Sequence, residues 1–284
     1  MNFRKKIENG KFTFTVEIEP PKGTDVSYIL EKLNFLKDKI DAYNVTDMQS
    51  SVMRMSSWAM AVKLKEKGFE PILQLTCRDR NILALQGDLL GISLFGINNV
   101  LLLTGDTPSV GDHPSAKAVF DLSSVELIKL AKKLNSGFDY SGNTLKSKPD
   151  FFIGAVLNPF SKDINKEIAK LEEKIKAGAL FFQTQPIFNV DRFYSFIKKV
   201  SYLRPKIITG VMFLRSYQSA CYLNDKIEGI EIPDEYIKEL KNSSNFKEEM
   251  VKIIRKIISD LRTMSCGIHI MPLGMYERVL EIID

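Results

Sequence analysis

Apolar residues alternate with Thr and Glu from Phe12 to Glu19 (Phe-Thr-Phe-Thr-Val-Glu-Ile-Glu), the period-2 pattern of a strand. Pro20-Pro21 ends it, because proline cannot donate to a ladder and turns the residue before it away from helix. The period then changes. Ile29, Leu30, Leu33 and Leu36 fall on one helical face within 26–37, with Thr24 placed to cap it. The same exchange of periods repeats along the chain. It predicts strands at 42–45, 71–76, 99–104, 151–157, 180–184, 206–212 and 267–271. Helices are predicted at 56–67, 79–90, 123–134, 163–177, 190–200, 216–223, 233–240, 246–263 and 275–283. The segment 135–150, rich in Gly, Ser, Asn and Lys, predicts a surface loop or small hairpin.

The run Asn99-Val-Leu-Leu-Leu-Thr104 is nearly all apolar, as in a strand buried on both faces of a parallel sheet. Eight strands each followed by helix, with no interrupting linker, predict an α/β protein with a single (β/α)8 TIM barrel spanning 1–284. A doubly wound open sheet is the competitor, but it rarely needs eight units, and no GxGxxG follows the first strand.

Composition narrows this further. Hydrophobic residues at 44% and charged residues at 26% of 284 provide for one large core. No apolar run approaches the ~20 residues of a membrane helix, and the first residues lack the apolar segment of a signal peptide, so a cytoplasmic location is expected. The net charge of +5 comes from lysines beside glutamates along helices, without a basic stripe interleaved with aromatics. That argues against nucleic acid as a partner and still suits an anionic ligand. Cys77, Cys221 and Cys266 form no CxxC pair, and His113 and His269 add little, so neither an iron–sulfur cluster nor a zinc site is expected within this chain.

Barrel chemistry sits at the C-terminal strand ends. Those ends carry Glu17, Glu19, Thr46, Gln74, Thr76, Thr104, Asp106, Asn158, Gln183, Gln185 and His269. Amides, hydroxyls and a few acids suit hydrogen bonding to a heteroaromatic ligand better than hydrolysis by a metal-bound water. No Ser or Cys stands beside a histidine as a nucleophile would, and any hydride chemistry needs an added cofactor. Glu17 and Glu19, two apart, share one strand face. They read either as solvated acids at a strand end or as an acid held in a site and kept protonated by burial and its neighbour.

Six segments at these ends or in an adjoining helix, Thr15-Val-Glu17-Ile-Glu-Pro-Pro21, Asn44-Val-Thr46, Leu75-Thr-Cys77, Thr104-Gly-Asp106-Thr-Pro108, Lys174-Ile-Lys-Ala-Gly-Ala179 and Gln183-Thr-Gln185, resemble the methylenetetrahydrofolate reductase family. They run in order over nearly the whole chain. The resemblance implies a flavin-bearing barrel that reduces 5,10-methylenetetrahydrofolate to 5-methyltetrahydrofolate. Glu17 matches the family's general acid, which promotes opening of the imidazolidine ring at N10. Asp106 matches the aspartate between flavin and pterin, and Gln185 the glutamine that bonds the pterin. Thr46 and Lys174 match flavin contacts, and Tyr217 falls where the family places an aromatic against the ligand. Lys174 as a solvated helix lysine, Tyr217 as a packing residue and Asp106 as a turn residue are the plain alternatives. Glu19, Gln183 and His269 are adjacent to the site, and Cys77 packs.

The chain also departs from the family. Gln74 and Thr104 (the latter before Gly105-Asp106) stand where relatives carry His and Arg. Gly154-Ala-Val-Leu-Asn158-Pro159 replaces a Tyr and a His that hold the flavin dinucleotide. FAD is the cofactor implied, with FMN as the alternative. The electron donor implied is NAD(P)H, or a partner subunit carrying iron–sulfur or zinc centres within an oligomer. No regulatory C-terminal extension is expected, hence no allosteric inhibition through one. Two rival readings remain: a flavin-binding relay or scaffold subunit, and a flavin-free pterin-binding methyltransferase barrel.

Overall fold

Every predicted strand is present in the computed structural model, which describes residues 1–283. The chain begins with a short helix, α1 (Phe3–Glu8), and then alternates. β1 (Thr13–Ile18) leads to α2 (Ser27–Asn34), β2 (Ala42–Val45) to α3 (Ser57–Glu66), β3 (Pro71–Thr76) to α4 (Ile82–Leu94), and β4 (Asn99–Leu103) to α5 (Ser124–Asn135). β5 (Phe152–Leu157) leads to α6 (Ile164–Ala177) and β6 (Phe181–Pro186) to α7 (Val190–Val200). β7 (Ile207–Met212) is followed by α8 (Tyr217–Lys226), α9 (Asp234–Asn242) and α10 (Phe246–Leu261), and β8 (Gly267–Met271) by α11 (Leu280–Ile283). All eight strands are parallel, and β8 pairs with β1 to close the barrel. The fold is a (β/α)8 barrel. Among the described residues no helix is long and apolar enough to cross a membrane.

The strand period sorts side chains into two populations. Val16, Ile18, Val45, Leu73, Leu75, Val100 and Leu102 point outward and join the buried faces of the helices in one core. Ala42, Ile72, Leu101, Phe152, Phe181 and Ile208 point inward and form a second apolar cluster with Phe3 and Ile7 of α1. That helix therefore plugs the N-terminal end of the barrel. The Phe3 ring meets Phe152 and Phe181 edge-on, with centroids 6.0 and 5.4 Å away. Gly154 is required beside them, because a Cβ there would lie 2.3 Å from the Phe181 ring. Phe3→Ala is expected to cost about 3–5 kcal/mol, the range for emptying a buried aromatic site. Calorimetry should show the lowered melting temperature; an unchanged one would mean the plug contributes nothing.

Several boundaries differ from the sequence reading for local reasons. Thr24 does not cap α2; the Asp25 carboxylate accepts the Ser27 N–H at 2.8 Å and the helix starts there. Asp79 is taken up by Arg78, so α4 begins after Asn81, whose side chain accepts the Ala84 N–H, and it runs on to Leu94. β6 continues through Gln185 to Pro186, with its register to β7 shifting after Gln183. The predicted final helix divides into a 3₁₀ turn at Tyr276–Arg278 and α11. The 135–150 segment holds an antiparallel bridge between Phe138 and Thr144, the hairpin alternative.

Candidate active site

The inward face of β1 is polar from end to end: Thr13, Thr15 and Glu17. Strand register sets Thr15 level with His269 of β8 and Glu17 level with Asn44 of β2. Thr15 Oγ1 lies 3.0 Å from His269 Nδ1, and His269 Nε2 lies 3.6 Å from Glu17 Oε2. With a hydroxyl proton on Nδ1, the imidazole presents its Nε2–H to the Glu17 carboxylate. Glu17 is 8% exposed and His269 2%, so both lie inside the barrel mouth.

Beside it runs a belt of amides. Gln74 Nε2 donates to Asn44 Oδ1 at 3.3 Å, and Asn44 Nδ2 donates to Gln183 Oε1. Gln183 Nε2 is buried and has no hydrogen-bond partner. Leaving such a donor unpaired costs about 1–3 kcal/mol.

Glu19 does not pair with Glu17 as a carboxylate dyad. It lies just past the end of β1, and its Oε1 is 2.6 Å from Arg54 Nη2. Strand geometry fails there because the ladder has already stopped. Tyr276 is the other close neighbour of Glu17. Burial, reinforced by the Glu17 carboxylate, pushes the Tyr276 phenol well up, with the Glu19 backbone opposing.

Asp106 sits exposed in the loop after β4, behind Gly105 at φ +90°. A Cβ on Gly105 would come within 3.0 Å of Thr76 Cβ and 3.2 Å of Arg78 Cβ, so the loop needs glycine both for its backbone and for the close approach. Ser51 Oγ donates to the Asp106 carbonyl at 2.8 Å, and Arg78 Nη1 donates to Ser51 Oγ at 3.0 Å and to the Met48 carbonyl at 3.1 Å. Met48, Ser50 and Ser51 all hold positive φ near 50–55°. This strained turn persists because Arg78 and the β4 loop clamp it.

Under the loops lies a buried ionic cluster. Asp47 accepts from the Thr76 N–H and hydroxyl at 2.9 Å each, from Ser57 Oγ at 3.3 Å, and from Arg80 at 2.7 and 3.2 Å. Asp88 takes Arg80 Nε at 2.8 Å. Sequence reasoning placed Thr46 at a strand end and missed Asp47, Arg78 and Arg80; two arginines within four residues of the end of β3 were the available signal.

The remaining expected residues have more local partners. Thr46 is buried, with Oγ1 3.4 Å from the Ile18 carbonyl, and Thr104 is exposed and accepts the Ser124 N–H. Gln185 is exposed near the end of β6. Asn158 Oδ1 accepts the Phe160 N–H, and Gly229 packs on its amide. Lys174 is not a solvated lysine: it is buried on α6, and its Nζ donates to the Val156 carbonyl at 2.7 Å. Burial lowers its pKa, with Glu167 opposing. Tyr217 opens α8 one helical turn before Cys221, whose thiol pushes the phenol pKa up, with Lys241 Nζ 5.8 Å from its ring centroid.

Among the described residues no group of three or more His, Cys, Asp or Glu is arranged to hold a metal. Cys77 is fully buried, and burial pushes its thiol up to about 12. Iodoacetamide at pH 8 should therefore leave Cys77 unmodified in the native protein and alkylate it after denaturation, as read by peptide mass spectrometry. Native labelling of Cys77 would contradict this.

A model of the family described as methylenetetrahydrofolate reductase matches residues 2–284. Methylenetetrahydrofolate reductase 2 of Schizosaccharomyces pombe is 26% identical over 304 aligned residues, covering 98% of this chain and 46% of the relative. Methylenetetrahydrofolate reductase (NADH) 1 of Arabidopsis thaliana is also 26% identical, covering 98% of this chain and 50% of the relative. The chain thus spans about half the length of these curated relatives. Among solved structures, an uncharacterized protein from Clostridium thermocellum that binds two copies of 5-methyl-5,6,7,8-tetrahydrofolic acid superposes with a TM-score of 0.66. It is 16% identical, with 99% of this chain and 98% of that one covered, a likeness of fold. With the match running from residue 2 to residue 284, nearly the whole chain, the chain belongs to the methylenetetrahydrofolate reductase family.

Proposed function

We propose that the protein reduces 5,10-methylenetetrahydrofolate to 5-methyltetrahydrofolate in a flavin-dependent reaction, with Glu17 as general acid. The observation that carries this reading is the buried Glu17 at the barrel mouth, backed by His269 and Thr15 and flanked by an amide belt with one unpaired donor. A pterin is a planar ring edged with acceptors and donors. The free Gln183 amide proton, with Gln185 nearby in β6, suits such an edge.

Protonation at N10 opens the imidazolidine ring, and Glu17 is the residue within the mouth that supplies the proton. His269 orients the Glu17 carboxyl and, through Thr15, is itself held in one tautomer. Asp106 bonds the folate ring, and Tyr217 packs against the ligand. The hydride delivered to the opened carbon is the chemistry that a reduced flavin supplies when bound.

The donor set fits the planar part of a flavin better than its diphosphate. Gln74, Thr104, Gly105 and Asp106 would hold the ring side, whereas Thr46 Oγ1, Asn158 Oδ1 and Lys174 Nζ are already turned to the Ile18 carbonyl, the Phe160 N–H and the Val156 carbonyl. Arg78 and Arg80 are already bonded to Asp79, Asp47 and Asp88. FAD and FMN therefore remain alternatives to be separated by reconstitution. The Arabidopsis relative's name includes NADH, which supports a nicotinamide as electron source.

The test is anaerobic. Flavin-reconstituted protein is bleached with a chemical reductant, and methylenetetrahydrofolate is added. Return of the oxidised spectrum together with methyltetrahydrofolate is the expected result. A flavin that stays reduced with folate bound would overturn the assignment in favour of an electron-relay subunit.

A further inference from the structure

The net charge of +5 leaves cations in excess, and the barrel rim shows where one of them stands unneutralised. Cations in the loops around the mouth are mostly paired with carboxylates. Lys22 lies 2.5 Å from Asp112, Arg54 lies 2.6 Å from Glu19, and Arg192 is paired with Glu231. Arg215, in the loop between β7 and α8, is different. It is exposed, and among the described residues no carboxylate forms an ion pair with it. Its Nη2 donates to the Leu273 carbonyl at 3.0 Å. Leu273 holds φ +48°, a left-handed backbone that leucine rarely adopts, in a turn where the Met275 N–H donates to the Pro272 carbonyl at 2.9 Å. That carbonyl takes one of the five guanidinium donors, so it aims the charge without cancelling it.

The topology fixes which side of the mouth this charge serves. In the closed order of eight strands, β7 lies opposite β3 and β8 opposite β4. Arg215 and Leu273 therefore stand across the barrel from Gln74 of β3 and from the Gly105–Asp106 loop after β4. They stand beside Glu17 instead. Val16 of β1 is level with Ile270 of β8, which puts Glu17 level with Met271. Leu273 is two residues further on, and two residues span at most about 7 Å. Tyr217 follows Arg215 by two residues, and Lys241 Nζ, likewise without a carboxylate partner among the described residues, is 5.8 Å from its ring centroid.

We infer that Arg215 is a substrate-binding residue, which takes a carboxylate of the benzoylglutamate tail of the folate. This rests on the reading of Glu17 as the acid that protonates N10. N10 is the atom that bears the tail, so the tail starts beside Glu17 and its carboxylates lie one benzoyl ring and one amide further out. A folate carries its negative charge there and not on the pterin. The fork of an arginine matches a carboxylate in two parallel bonds, and a preset guanidinium gives up little freedom on binding. A phosphate of the flavin is the other anion of this chemistry. The residues suited to the flavin ring lie on the opposite side of the barrel, which favours the tail. Lys241 adds a second positive charge on the same side, so the field there draws an anion in.

Anaerobic isothermal titration calorimetry on the flavin-reconstituted full chain tests this with two ligands. One is tetrahydrofolate; the other is 6-methyltetrahydropterin, which has the same ring system and no tail. The wild type should bind both, tetrahydrofolate more tightly. Arg215→Gln should weaken tetrahydrofolate by about 10-fold, the low end for a charge-assisted pair because the arginine is exposed, and leave the pterin unchanged. Arg215→Lys, which keeps the charge and loses the fork, should recover part of the loss. Equal tetrahydrofolate affinity in Arg215→Gln and the wild type would overturn the assignment, as would an equal loss for both ligands, the mark of a merely structural role. A variant that loses flavin uptake while its tetrahydrofolate affinity holds would give the arginine to the flavin phosphate and also overturn it. A wild type that binds neither ligand would instead remove the folate reading on which the inference rests, and the inference with it.

Discussion

Glu17→Gln should reduce the folate half-reaction by about 10²–10⁴-fold, the usual contribution of a positioned proton donor. The amide matches the carboxyl in size and keeps the same place 3.6 Å from His269 Nε2, so the barrel mouth and its amide belt keep their shape. Flavin binding and its reduction by a chemical donor should be unchanged, because neither uses a proton at N10. Stopped-flow reoxidation of the reduced flavin by methylenetetrahydrofolate measures the loss directly. His269→Gln should lose less, since it removes an orienting contact and leaves the acid in place; its effect should fall on the half-reaction rate rather than on flavin uptake. Normal turnover in Glu17→Gln would sink the assigned role.

The fold was legible because periodicity is local. Each exchange of period 2 for period 3.6 is written in consecutive residues, and eight exchanges specify a barrel. The ring of polar strand ends followed from the same reading. What it could not give was direction beyond the strand. Glu17 and Glu19 share a face on paper, but β1 stops at Ile18, and Glu19 turns to Arg54, thirty-five residues away in sequence. Helix α1 escaped notice because six residues are too few for a periodic signal; its role appears only once Phe3 meets Phe152 and Phe181. Lys174 reads as an ordinary helix lysine until α6 folds it onto the Val156 carbonyl. The apolar richness of α4 was visible in the sequence, yet which of its leucines face outward depends on how the barrel buries Leu85, Leu89 and Ile92.

Asp47→Ala should be the most destabilising single change near the mouth. The carboxylate is buried and satisfies the Thr76 N–H, the Thr76 and Ser57 hydroxyls and two Arg80 donors. Alanine removes all of these at once and leaves a largely buried guanidinium with only Asp88. Breaking one side of such a pair costs about 3–5 kcal/mol, and at a few degrees per kcal/mol the melting temperature should fall by on the order of 10 °C. Much of that loss comes from the stranded charge rather than from the bond itself. Asp47→Ala/Arg80→Met should therefore melt above Asp47→Ala alone, a non-additivity that differential scanning calorimetry can read. If the double variant is less stable than the single one, Arg80 is held chiefly by Asp88 and the pair matters little. The same substitution should reach the site. Thr76 is the residue on which Gly105 packs, and Asp47 fixes both its backbone and its hydroxyl. Freed of Asp47, the Gly105–Asp106 turn loses one wall of its clamp, so folate binding should weaken even at temperatures where the variant remains folded.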